Sequence, residues 1–306
     1  QARMLCVIAN PENLADHGLS PLDVEGEVAN LRAALDGLRQ AGVEIAVMPG
    51  RTGLPDDQKD ALAAAGYTIL PGCATPARLF EALAYAPGYH LLHFVGHGAF
   101  SQRRGQAALF LESETGQAQE LTDDDLAGRL AGLDRKPHLI FLAACESASR
   151  PTGEVNPFVG LAPRLVQTGI PAVIAMQDKV AVETAQTLTR HFYRFLLEHG
   201  VVDKALNQAR NLLADTPDWA TPVLFMRLRE GRLLEKGVLP PVTDSPQLQD
   251  NPAVRRDSVQ GTKPIQLPPN PFTDMLLIRD PARFVGREDE LRRLRSLLRS
   301  GSVTLV

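Results

Sequence analysis

Between residue 4 and about residue 228 the sequence alternates short, continuously apolar runs with longer amphipathic stretches, and that alternation constrains the fold more than any other feature. The runs lie at 4–9, 43–48, 67–70, 90–95, 107–111, 138–144, 170–176 and 223–228. Most are apolar throughout instead of every second residue, the pattern of parallel strands covered on both faces. Between them, residues 24–41 place Val24, Val28, Leu31, Leu35 and Leu38 at helical spacing, with Gly42 as a stop. Thr122 followed by Asp123, Asp124 and Asp125 reads as an N-cap with acids at the positive end of a helix, and the acids need no further role. Two more helices are expected near 180–198 and 201–213. Strands alternating with helices predict an α/β fold, a three-layer sandwich with a mostly parallel sheet, over residues 1–235.

Composition narrows the function classes. With 44% hydrophobic residues in a chain of 306 there is ample material for a core, and with only 5% aromatics that core must be built from Ala, Leu and Val. The net charge of −4 leaves no electrostatic footprint for nucleic acid. No apolar run approaches the roughly 18 residues of a membrane span, and the first one, residues 4–9, is too short for a signal-peptide core. Three widely spaced cysteines, Cys6, Cys73 and Cys145, argue against a disulfide framework or a cysteine-rich metal site and fit a reducing, cytoplasmic setting. The first residue is not Met and the last six, GSVTLV, read as an unfinished strand, so the chain is expected to be a segment of a longer protein.

Residues 236–271 differ in composition: eight of the 23 prolines fall there, including Pro240-Pro241 and Pro268-Pro269, which predicts an extended linker. Beyond it, in residues 272–306, FVGREDELRRLRSLL (284–298) reads as a helix with leucines on one face and arginines on the other.

In an open α/β sheet, reactive groups collect at the carboxyl ends of the strands. Two ends carry unusual residues: the run 90–95 leads into Gly96-His97-Gly98, and 138–144 into Cys145-Glu146-Ser147. A thiol nucleophile and an imidazole brought together by the fold are what thiolate acyl transfer requires. Gly96 and Gly98 would let the backbone bend sharply around His97, and the amides of Gly98 and Cys145 could face a developing oxyanion. The plainer alternative is that a cysteine after an apolar strand is a small buried hydrophobe, which is how Cys6 and Cys73 read. His93, four residues before His97, has the two-histidine spacing of helical zinc proteases. Phe94 stands where their glutamate belongs, though, and the segment is a strand, so His93 is expected to be a core or supporting residue and no metal is assigned.

HFVGHGAF (93–100) and HLIFLAACESA (138–148) resemble the histidine and cysteine motifs of the CHAT domain, a caspase-like module of the group that includes separase, gingipain and clostripain. GIPAVIAMQDKV (169–180) is similar to that family's next strand and VLFMRL (223–228) to its closing one. The histidine–cysteine spacing also matches the roughly 50 residues of caspases. Ala144 and Glu146 flank Cys145 where caspases carry glutamine and a basic or small residue, so aspartate specificity is not implied. The resemblance implies a cysteine endopeptidase acting on a protein substrate, with Cys145 as nucleophile and His97 as general base and acid.

Asp178 follows the run 170–176, at the same edge as Cys145 if the two strands are parallel neighbours. A carboxylate there would bind the arginine or lysine before a scissile bond, and several relatives implied by the resemblance cut after basic residues. Pairing with Lys179 at the surface is the alternative. Gln177 is placed in the same pocket, and Glu146 in the ordering of an active-site loop over 146–157. Arg103-Arg104 and Arg255-Arg256 are then candidate self-cleavage sites. FVGREDEL followed by GSVTLV is similar to the entry into a STAND- or AAA-like ATPase. Its phosphate loop and lysine are not in this chain, so no cofactor is assigned here, and a nucleotide is expected only in a C-terminal sensor domain that would regulate the protease. A caspase-like docking module without activity is the second reading. A flavodoxin-like ligand domain is disfavoured, because residues 10–18 lack a phosphate loop.

Overall fold

In the computed structural model, the structure describes residues 2–51, 54–85, 87–101, 106–144, 157–176, 180–228 and 230–234. These belong to the first of two units into which the chain divides, Gln1–Thr243; the second, Asp244–Val306, lies outside the described residues, and so do the expected linker 236–271 and the helix 284–298.

The apolar runs form the strands β1 (Arg3–Ile8), β2 (Glu44–Met48), β3 (Thr68–Ile69), β4 (Leu91–Ser101), β5 (Gln106–Glu112), β7 (Leu139–Ala144), β8 (Ala172–Met176) and β9 (Pro222–Met226), with β6 at Ala118–Thr122. The helices are α1 (Val24–Gln40), α2 (Asp56–Ala64), α3 (Pro76–Ala84), α4 (Asp123–Ala131), α5 (Pro157–Gln167), α6 (Val182–His199) and α7 (Val202–Asn211). The sheet runs β3-β2-β1-β4-β7-β8-β9, parallel from β3 through β8, with β9 antiparallel at its end.

Both faces of this sheet are covered, which is why its strands are apolar without alternation. Met4, Cys6, Ile8, Val95, Phe141 and Ile174 pack against α1, α6 and α7, through residues such as Leu35, Phe192 and Leu206. Leu5, Val7, Phe94, Ile140 and Leu142 pack on the other side with α3, α4 and α5, through Leu83, Leu130 and Leu165. The expected three-layer sandwich with a mostly parallel sheet is therefore the observed architecture. α1 stops as expected: Gly42 adopts φ +86°, and its N–H donates to Arg39 O at 2.9 Å.

Four local expectations are revised. The strand expected to end at residue 95 continues through His97 to Ser101, so Gly96 and Gly98 make no sharp bend. Gly96 serves packing instead, since a Cβ there would fall 2.5 Å from Phe94 Cζ. β5 and β6 are antiparallel and form an arm paired to the upper part of β4, and β6, polar at its exposed positions, carries no apolar run to betray it. The acids after Thr122 do more than cap α4. Thr122 Oγ1 accepts from Asp125 N at 3.2 Å as expected, but Asp123, only 6% exposed, also receives Arg164 Nη1 of α5 at 3.1 Å, and Asp124 shares the same guanidinium.

Candidate functional site

β4 carries His93 and His97 at even spacing, in series with Leu91 and Val95 on the face toward α1 and α6. His93 lies beneath that layer: its Nδ1 is 2.9 Å from the Tyr193 hydroxyl of α6, and its ring leans on Phe141 at 4.8 Å between centroids. Complete burial lowers its pKa to about 3, so the imidazole is neutral at physiological pH. His93 also lines, with Glu27, Asn30, Gln186, Thr189 and Ala143, a cavity of about 20 Å³ with room for a water. The reading of His93 as a supporting core residue holds.

His97 occupies the position at which β4 leaves the parallel sheet. β1 accompanies β4 as far as the pair Ile8↔Val95, and β7 as far as Gly96↔Ala144. From His97 onward the partner is β5, with His97 opposite Phe110 and Gly98 opposite Leu109. Phe110 packs with Leu14 and Leu19, at and just after the 3₁₀ turn Leu14–His17, whose His17 ring lies 5.0 Å from its own. His97 is 1% exposed.

The root of the arm is held by a residue that sequence reasoning passed over. Glu112 closes β5 and is fully buried. Its Oε2 accepts from the main-chain N–H of Arg51 and of Ala74, each at 2.8 Å, and its Oε1 from that of Asn10 at 3.4 Å. Asn10 follows β1, Arg51 follows β2 and Ala74 precedes α3, so one carboxylate gathers three loops. A lone acid ending an otherwise apolar run was the only signal for it. Tyr193 was likewise indistinguishable from any other aromatic on an amphipathic helix.

Two register offsets frame the site. Every pair from Leu91↔Leu139 to Gly96↔Ala144 is 48 positions apart, and so are His97 and Cys145. Every pair from Leu139↔Ala172 to Leu142↔Ala175 is 33 apart, and so are Cys145 and Asp178. Cys145, Glu146, Gln177 and Asp178 themselves lie outside the described residues, as do Arg103-Arg104 and residues 146–156 of the expected loop 146–157, whose last residue, Pro157, opens α5 instead. β7 and β8 are the parallel neighbours that the Asp178 expectation required.

The other two cysteines behave as expected. Cys6 is completely buried, which pushes its thiol far above the ordinary range, and Cys73 is buried with its Sγ 3.5 Å from the Glu114 carbonyl. No helix among the described residues is long and apolar enough to cross a membrane.

The family model of the CHAT domain matches residues 1–264. No curated protein matches the chain.

Proposed function

The chain belongs to the CHAT domain family, whose caspase-like α/β sandwich it has, and on that footing we propose that it is a cysteine endopeptidase with Cys145 as nucleophile and His97 as general base and acid. The observation that carries this reading is the shared offset of 48 positions, which relates the β4–β7 register to the His97–Cys145 pair. One further step of that register, with the alternation of Leu139, Phe141 and Ala143, would bring the thiol beside the imidazole on one face of the sheet.

In the proposed reaction the Cys145 thiolate attacks the scissile carbonyl carbon, forming the S–C bond and a tetrahedral oxyanion. The amides of Gly98 and Cys145 would stabilise that oxygen. As the C–N bond breaks, His97 gives a proton to the departing amine. Water then attacks the thioester, His97 takes its proton, and the acid product leaves with the thiol restored.

For specificity, the offset of 33 supports a place for Asp178 next to Cys145, where its carboxylate would receive an arginine or lysine side chain, with Gln177 lining the same pocket and Glu146 ordering the loop after the nucleophile. The near-complete burial of His97 supports a resting state in which substrate reaches the imidazole only after the site opens. A nucleotide-driven C-terminal domain is the proposed agent of that opening, and a reducing cytoplasm the proposed setting.

Profiling a peptide library with the wild type, Cys145→Ala and Asp178→Ala tests the reading. Cleavage should vanish in the first variant and lose its preference for basic residues in the second. Unchanged cleavage with Cys145→Ala would end the proposal. No cleavage by the wild type under activating conditions would favour a docking module instead.

A further inference from the structure

A cavity among the described residues lies at the opposite end of the sheet. It is a groove of about 700 Å³, within the size range of ligand sites. Its floor is formed where strands begin: His90 precedes β4, His138 precedes β7 and Pro171 precedes β8. The groove is therefore at the amino edge, and His90 stands about 23 Å along β4 from His97. It has no part in the chemistry proposed above.

The groove's fixed charges are two cations and one acid, and a third cation approaches from outside its lining. Arg135 and Lys136 line it, and the Lys136 stem and the Arg227 guanidinium both reach to within 3.9 Å of where a Cβ on Gly169 would lie. Asp134 also lines the groove, yet none of these three cations has a carboxylate within ion-pair distance among the described residues. Lys136 reaches the Leu133 carbonyl at 3.0 Å, and among the described residues the Arg135 guanidinium donates only to the Pro87 carbonyl, at 3.4 Å, which leaves most of its five N–H groups for a ligand. In a chain of net charge −4 this concentration of positive charge is local.

The two imidazoles meet edge to face at 5.6 Å between centroids. His90 Nδ1 accepts from Arg3 N at 3.1 Å, so its other nitrogen carries the proton. Burial first, then the nearby His138, Arg3 and Arg135, depress the His90 pKa. Arg3 is itself paired with Glu44 at 3.0 Å and stacked over Tyr89. An anion lodged in the groove would offset the charges of Arg135, Lys136 and Arg227, which have no carboxylate partner among the described residues.

We propose that this groove is a binding site for a phosphate-bearing ligand, held by Arg135, Lys136 and Arg227 against the edges of His90 and His138. It uses no glycine-rich loop, and so escapes a motif search. Guanidinium and ammonium groups recognise phosphate by charge-assisted hydrogen bonds. Tyr89, Pro87 and Pro171 add apolar surface to the same lining. The phosphate is either free or part of a nucleotide.

The test follows the ring NMR signals of His90 and His138 in the chain of 306 residues during titration with pyrophosphate, ADP and adenosine. Pyrophosphate should shift both signals saturably, with a Kd below about 1 mM at low salt. Arg135→Gln combined with Lys136→Gln should weaken binding at least about tenfold, the loss of roughly two charge-assisted contacts. Arg227→Gln, on a different element, should weaken it alone. ADP binding as pyrophosphate does assigns the site to phosphate; tighter ADP binding adds the apolar surface as a base platform. No saturable shift by about 10 mM pyrophosphate, equal affinity in the double variant, or adenosine binding as well as ADP would each overturn the proposal.

Discussion

The Glu112 carboxylate occupies the space into which a side chain at Gly50 would project, and Gly50 holds φ +77°, where glycine is the natural residue. This pairing locks the end of β2 to the end of β5, and with it the arm that begins opposite His97.

Glu112→Ala would leave the buried N–H of Ala74 and the part-buried N–H of Arg51 without their acceptor and should cost about 3 kcal/mol of folding stability. Glu112→Gln keeps an oxygen for those two donors and gives up only the 3.4 Å contact to Asn10, so its cost should be about 1 kcal/mol. Urea unfolding of both variants checks the order. Equal losses would mean that charge, not acceptor geometry, is what the three loops require.

The buried His93 makes the fold acid-sensitive. Its pKa falls from 6.5 to about 3 on folding, so between those values the unfolded chain takes up the proton more readily. The stabilising contribution is complete above pH 6.5 and fades as the pH drops toward 3. Between pH 6.5 and pH 5 the wild type should lose about 2 kcal/mol more than His93→Gln does, read from paired urea titrations. Tyr193→Phe, which removes the hydroxyl at 2.9 Å, should cost about 1 kcal/mol at pH 7.

Alkylation separates the three thiols. Burial and a raised pKa shield Cys6, and Cys73 is buried as well. An activated Cys145 should therefore react with iodoacetamide at least about tenfold faster than either, as peptide mapping would show. A uniform rate across all three would count against a thiolate at Cys145.

Gly96→Ala would press its methyl into the Phe94 ring one position before His97 and should cost about 2 kcal/mol. Pairing it with Phe94→Leu frees the space, so the double variant should lose less than the sum of the singles. Thermal melts of the three variants decide this, and simple additivity would show that β4 accommodates the methyl by moving elsewhere.

The parallel core was legible because buried strands leave continuous apolar runs: β1, β2, β7 and β8 all fall on theirs, within two residues at each end. β6 was missed because AQELT has little apolar content to mark it, and β4 was cut short because glycine reads as a breaker in sequence while here it leaves room for an aromatic ring. Glu112 was illegible for a different reason. A carboxylate becomes a hub only when three loops, distant in sequence, converge on it.

By itself the sequence determined the layered α/β architecture, the apolar runs that lead toward His97 and Cys145, and the separation of those two residues by 48 positions, because burial pattern and spacing are local properties of a chain. Only the tertiary structure decided that β4 and β7 lie side by side in a register of that same 48, that His93 is buried against Tyr193, and that Arg227 approaches Gly169 of the groove alongside Lys136. Those are consequences of which strands pair and which loops meet, and no stretch of residues encodes them until the whole chain has closed on its core.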